Sequence, residues 1–239
     1  MKALAAAVSF LTVIGRGRRP DARATAWFGV VGAGIGLALG AAWEGVGEVW
    51  SPGLAAALIV ALDLVLTGAL HVDGLADSGD GLLPHADRSR RLEIMRSPDV
   101  GAFGVAVVVV TLLVRFVALA GLEADLWILV APWAAARATA ALTLRVAPYA
   151  RGDGLASSFL DGSSRALLVA DVAVIAVAAV IAGVVDGAVG VAAIAVGVAA
   201  FGAVVLLGVR RLGGFTGDIL GAGIVVSETA ALVTLAGSW

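Results

Sequence analysis

The chain has no cysteine. Disulfides, thiolate nucleophiles, Cys-bound zinc and iron–sulfur clusters are therefore excluded. Charge is scarce as well. Only 14% of the 239 residues are Asp, Glu, Lys or Arg, where a soluble domain carries about 25%. The net charge is −2, and no basic stripe argues for a nucleic-acid partner. Long polar linkers are missing too, so residues 1–239 read as a single transmembrane helical domain. What the chain does have is apolar length. It is 61% hydrophobic with a mean hydropathy of +1.04, and several runs reach the roughly 20 residues needed to cross hydrocarbon. The expected fold class is all-α, a polytopic integral membrane helical bundle. Alanine, glycine and valine dominate, which suits close helix packing in lipid.

Apolar runs at 25–43, 53–71, 101–121, 126–146, 166–185, 187–209 and 219–237 predict about seven transmembrane helices. A short N-terminal helix precedes them. Its lysine and apolar core have the look of a signal peptide. However, Arg16, Arg18 and Arg19 follow where a small-residue cleavage site should stand, so the segment reads as retained. Asp186–Gly187 marks a tight turn between two spans. The polar loops alternate in sign: 16–23, 72–100, 147–165 and 210–218 hold arginines, whereas 44–52, 123–125 and 186 hold only acids. The positive-inside rule puts the basic set in the cytoplasm. The motif loops 72–100, 147–165 and 210–218 thus share the cytoplasmic face of a cytoplasmic (inner) membrane, with the lipid bilayer as one partner. Gly32, Gly36 and Gly40 form a GxxxGxxxG stripe. It lacks the preceding strand and the Lys-Ser/Thr of a nucleotide loop, so it reads as a helix-packing seam.

Residues 67–81, TGALHVDGLADSGDG, follow an apolar run and carry Asp73, Asp77 and Asp80. On a helix, at about 100° per residue, Asp77 falls about 40° and Asp80 about 20° from Asp73, on opposite sides. All three then fit an arc of about 60° and can converge on one ion. Each like-charged pair at about 6 Å costs roughly 3 kcal/mol at an effective dielectric near 20. A divalent cation relieves that repulsion, and carboxylate oxygens suit Mg²⁺, Mn²⁺ or Ca²⁺. Gly74, Gly79 and Gly81 weaken the helix, so part of the segment can be loop. His71 sits about 160° from Asp73 on the same wheel. It is a general acid/base or the cap of a span, and the sequence does not choose. His85 reads as a surface residue.

A second constellation is GGFTGDILGAGIVVSE at 213–228. Gly213 and Gly214 permit close backbone approach to a ligand. Thr216 and Asp218 are candidate substrate contacts, and Asp218 is also a candidate metal ligand, although Thr216-Gly217-Asp218 alone equally fits a helix N-cap. Glu228, Asp63, Arg115 and Arg137 lie inside apolar runs. Buried ions there are costly unless paired, so they pair structurally or line an anion cavity. In RVAPYARGDGLASSFLD, residues 145–161, Arg145, Tyr149 and Arg151 stand near two glycines. Arginine forks recognise phosphate.

The acidic block at 67–81 with GGFTGDILGA at 213–222 resembles cobalamin synthase, the adenosylcobinamide-GDP ribazoletransferase family. RSPDVGAFGV (96–105), PYARGDGLASSF (148–159) and FLTVIGR with the downstream WFGVVGAGIG are similar to further blocks of that family, in the same order. GRGRRP stands where the family tends to an apolar, proline-containing stretch. The resemblance implies a Mg²⁺-dependent transfer joining adenosylcobinamide-GDP to α-ribazole or its 5′-phosphate, with release of GMP. It implies Mg²⁺ on Asp73, Asp77 and Asp80, with Asp218 completing the site or holding a ribose hydroxyl. His71 or a carboxylate takes the nucleophile's proton, and Arg96 and Arg151 contact phosphate. A homo-oligomer is compatible with the sequence. CDP-alcohol phosphotransferases are a rival with related chemistry, but Asp77 stands after Ala76 where their pattern needs Arg. An ion-coupled transporter built on Asp63, Arg115, Arg137 and Glu228 is the rival from another class.

Overall fold

In the computed structural model, residues 2–15, 22–151, 155–160 and 164–237 are described, and every described regular element is helical. In chain order these are α1 (Lys2–Leu11), α2 (Phe28–Gly47), α3 (Pro52–Thr67), α4 (Leu70–Leu82), α5 (Arg88–Ile94), α6 (Ala102–Ala120), α7 (Val130–Val146), α8 (Arg165–Leu212) and α9 (Gly217–Leu235). Short 3-10 turns at Ala22–Trp27 and Leu155–Phe159 complete the set. The basic run Arg16, Arg18 and Arg19 lies outside the described residues.

The seven expected runs all contain helix, but they are not seven equivalent spans. Among the described residues, 22–47, Ala102–Ala120, Arg165–Leu212 and Gly217–Leu235 are long and apolar enough to cross a membrane; α3 passes only together with α4, from which it is bent by 92°. That makes four such helices, or five with the bent pair counted as one. The 48-residue α8 is itself broken at Gly187, at φ 62° and ψ −141°. Val191 packs on Gly183, and a Cβ on Gly190 would overlap the carbonyl of Ala182. Residues eight apart lie about 12 Å apart along a straight helix, so the chain reverses at Gly187 as the expected tight turn.

α7 has 17 residues and is the innermost helix, buried along nearly its whole length. Its alanines bring α2, α8 and α9 close around it. The glycine stripe of α2 makes this contact. A Cβ on Gly32, Gly36 or Gly40 would overlap the backbone carbonyl of Trp133, Leu129 or Leu126. The packing reading of the stripe holds.

The intramembrane charges pair with one another. Arg115 Nη1 donates to Asp63 Oδ2 at 2.7 Å and its Nη2 to Glu228 Oε2 at 2.8 Å. Arg137 pairs with Glu228, and Trp133 Nε1 donates to Asp63 Oδ1 at 3.2 Å. Two arginines and two acids from α3, α6, α7 and α9 thus cancel in charge and tie the bundle together. At one end of the bundle, Leu126 N–H donates to Glu44 Oε1 at 2.9 Å, joining two acidic loops. At the other end, Arg88 donates to the carbonyls of Leu212 at 2.6 Å and Ala150 at 2.9 Å. Among the described residues, the loops 72–100, 147–165 and 210–218 thus meet at one end, and 44–52 and 123–125 at the other.

Candidate active site

α3 ends where Gly68 and Ala69 take left-handed backbone conformations, at φ 60° and 56°. Two such residues in succession turn the chain sideways. α4 therefore does not extend the span: it lies across the N-termini of α6 and α9. Its glycines are contact points. A Cβ on Gly74 would come within 2.8 Å of the Asp218 carbonyl, and one on Gly79 within 3.1 Å of Gly104. The acidic segment is helical throughout, held by packing that outweighs its glycine content. The expected loop at 72–100 is thus mostly two helices, α4 and α5.

A cavity of about 210 Å³ opens where the start of α4 meets the start of α9. One side is polar: His71, Asp73, Arg151 and Asp218. The other is aromatic and aliphatic, with Phe10 and Leu11 of α1, Phe28 of α2, Tyr149 and Phe159. Arg151 Nη2 pairs with Asp218 Oδ2 at 2.9 Å and donates to Met95 O at 3.2 Å. Its Nε is buried with no hydrogen-bond partner among the described residues. Asp77 lies one turn beyond Asp73, half-buried. Burial, and then the charges of Asp218 and Asp73, push its carboxyl up to about 7 against the opposing pull of Arg151. His71 is held well below its ordinary value by burial, then by Arg137 and Arg115. His71 and Asp73 share the cavity despite their wheel separation, because the cavity wraps the first turn of α4.

The other expected site residues stand elsewhere. Asp80 is turned to the α6 N-terminus, where its two oxygens accept from Gly101 N–H at 2.6 Å and Gly104 N–H at 2.9 Å. It shares the sequence arc of Asp73 and Asp77 but caps a neighbouring helix, whose unpaired N–H groups attract a carboxylate. Among the described residues, no three His, Asp or Glu are grouped closely enough to hold an ion as they stand. Gly213, at φ 78°, closes α8. Gly214 packs on Pro148, where Phe215 N–H donates to Pro148 O and Ala150 N–H to Phe215 O, both at 2.9 Å. The close approach expected at these glycines is thus between two chain segments. Thr216 is buried as the N-cap of α9, accepting from Ile219 N–H at 3.3 Å and donating to Asp218 Oδ2 at 3.2 Å. Arg96 is exposed just past α5, outside the cavity lining. His85 is exposed. Arg145, near the end of α7, pairs with Asp171 Oδ2 at 2.6 Å.

Sequence reasoning missed the aromatic wall. Phe10, Phe28 and Phe159 come from segments far apart in the chain, and no spacing connects them. They meet with ring centroids 4.9 to 5.9 Å apart.

A family model, that of cobalamin-5-phosphate synthase (CobS), matches residues 3–236. The chain belongs to this family. It is 38% identical to the adenosylcobinamide-GDP ribazoletransferase of Azorhizobium caulinodans, over 85% of this chain and 80% of that one. To the protein of the same name from Chlorobium phaeobacteroides it is 33% identical, over 98% of this chain and 97% of that one. To the one from Pseudomonas aeruginosa it is 36% identical, over 90% and 86%. No solved structure matches. The blocks that carry the CobS likeness come together in space: α4 lies on the start of α9, Gly101 and Gly104 hold Asp80, and Arg151 holds Asp218.

Proposed function

We propose that Asp73, Asp77 and Asp218 hold a divalent cation, Mg²⁺ as the family resemblance implies, in the reaction of this adenosylcobinamide-GDP ribazoletransferase. The enzyme belongs to cobalamin biosynthesis. It transfers the adenosylcobinamide phosphate group from adenosylcobinamide-GDP to α-ribazole or its 5′-phosphate, and GMP leaves.

What supports the metal reading is the gathering of carboxylates at this end of the bundle: after burial itself, Asp218 and then Asp73 raise Asp77, and the three must draw closer than they stand here to share an ion. Such a set fits a cation better than it fits solvent, and its all-oxygen donors suit Mg²⁺. Asp80 positions α6 and is not needed as a ligand. When bound, the ion neutralises the diphosphate and the departing GMP phosphate. Arg151 has donors left after its bond to Asp218 and is the phosphate contact on the cavity rim. Arg96 meets the donor farther out, beyond the cavity lining. A ribose hydroxyl of the acceptor attacks phosphorus, and its proton passes to a cavity carboxylate or to the imidazole of His71. The basic loops at this end orient the site to the cytoplasm of an inner membrane by the positive-inside rule.

The test is GMP release by purified protein supplied with both substrates. Release with Mg²⁺ that stops on chelation and returns on re-addition is expected. Turnover at an undiminished rate in excess chelator would overturn the metal reading.

A further inference from the structure

We propose that the aromatic wall of the cavity is the seat of the acceptor's base, so that Phe10, Phe28 and Phe159 set affinity and selectivity for the acceptor nucleoside. The inference rests on the ribazoletransferase reaction and goes beyond it. One substrate is a corrinoid many times larger than a cavity of about 210 Å³. Only a nucleoside-sized portion fits, which leaves the base of the acceptor or the guanine of the donor.

The chemistry of the wall decides between them. Guanine presents an N–H, an amino group and a carbonyl on one edge, and burying these without partners is costly. Apart from the Tyr149 hydroxyl, the wall offers rings and the aliphatic Leu11 and Leu144. A methylated benzimidazole has no exocyclic polar group and buries well there. Phe10 stacks nearly parallel to Phe28, at 5.9 Å and 10°, while Phe159 meets both edge-on. Rings in such a cluster are held in place and offer flat and edge surfaces for one more ring.

A base seated there directs its ribose across the cavity, toward His71, Asp73 and Asp218. The hydroxyl oxygen forms a bond to the phosphorus carrying adenosylcobinamide. The bond from that phosphorus to the oxygen bridging to GMP breaks, the electron pair leaves on the GMP phosphate, and the hydroxyl proton goes to a cavity carboxylate or to His71.

The experiment uses the full chain in detergent. Phe10 is only partly buried but packs on Phe28 and Phe159 of the core, so Phe10→Leu serves as the control for lost packing. Phe10→Ala is expected to raise the KM for α-ribazole at least tenfold, about 1.4 kcal/mol, with the KM for adenosylcobinamide-GDP within twofold. Phe10→Trp restores the acceptor KM and Phe10→Leu does not, because stacking and not filled volume is at stake. Binding of α-ribazole measured calorimetrically without metal should weaken in step, and guanosine should not compete. A KM change confined to the donor, competition by guanosine, or full rescue by leucine would each overturn the proposal. Metal-free binding keeps the outcome separate from any failure of the Mg²⁺ reading.

Discussion

Asp77 and Asp80 differ by three positions and share one sequence arc, yet the fold gives them different work. Asp77 stands half-buried among like charges, and Asp80 caps α6. Asp77→Asn should abolish turnover while leaving the folded yield and melting temperature in detergent unchanged or higher, since it removes a repulsive charge. Asp80→Ala should instead melt early. It strands two backbone N–H groups, each worth about 1–3 kcal/mol when left unsatisfied. Equal melting temperatures for the two variants would contradict this division. Asp77 also sets a pH dependence. Its folded pKa of about 7 lies above the unfolded value near 4. Between those values the folded protein keeps a proton that the unfolded chain has released. Without metal, stability therefore declines as pH climbs from about 4 to about 7. A cation replaces that proton only above this window. Mg²⁺ should raise the melting temperature more at about pH 8 than at about pH 5.5, and equal increments would remove Asp77 from the metal site.

At the scale of elements, the sequence displayed whatever depends on local period. The glycine stripe of α2 and the turn at Gly187 both follow from spacing, and each appears where expected. The right angle between α3 and α4 was not legible. It depends on Ala69 in a left-handed conformation, which an alanine adopts only under tertiary constraint. Glycines in the acidic motif signalled weakness to a local reading, yet they are the contacts that seat α4 on α6 and α9. The packing seam gives an internal control. Gly36→Ala drives a methyl into the backbone of Leu129, whereas a Cβ at Gly34 on the same helix meets nothing within 4 Å. Gly36→Ala should lower the melting temperature by several degrees, through about 1–3 kcal/mol of overpacking. Gly34→Ala should be neutral or slightly stabilising, because alanine is the better helix former by about 1 kcal/mol. Similar shifts from the two variants would mean that α2 does not lie on α7 through this stripe.

For the molecule as a whole, the buried charges explain why so apolar a bundle adopts one arrangement. Apolar helices in lipid gain little from hydrophobicity alone. The Asp63–Arg115–Glu228–Arg137 network joins α3, α6, α7 and α9 through buried ion pairs, with Nε and Nη2 of Arg137 left without a hydrogen-bond partner among the described residues. Sequence reading allowed either pairing or an anion cavity for these residues. The choice between them needed the register of four helices, which no single-helix pattern contains. Because two arginines face two acids in this network, its members are poor candidates for an ion pathway, and a transporter loses its main support. Glu228→Gln leaves two arginines facing one aspartate beneath His71. It should cost about 3–5 kcal/mol, seen as loss of folded protein in detergent rather than as an altered KM for either substrate. The pair Glu228→Leu with Arg137→Leu removes one charge of each sign and should recover much of that loss, because a matched deletion strands no ion. If the double variant is no more stable than Glu228→Gln alone, neutrality is not what these residues supply, and a direct role beneath the cavity becomes the better account of their burial.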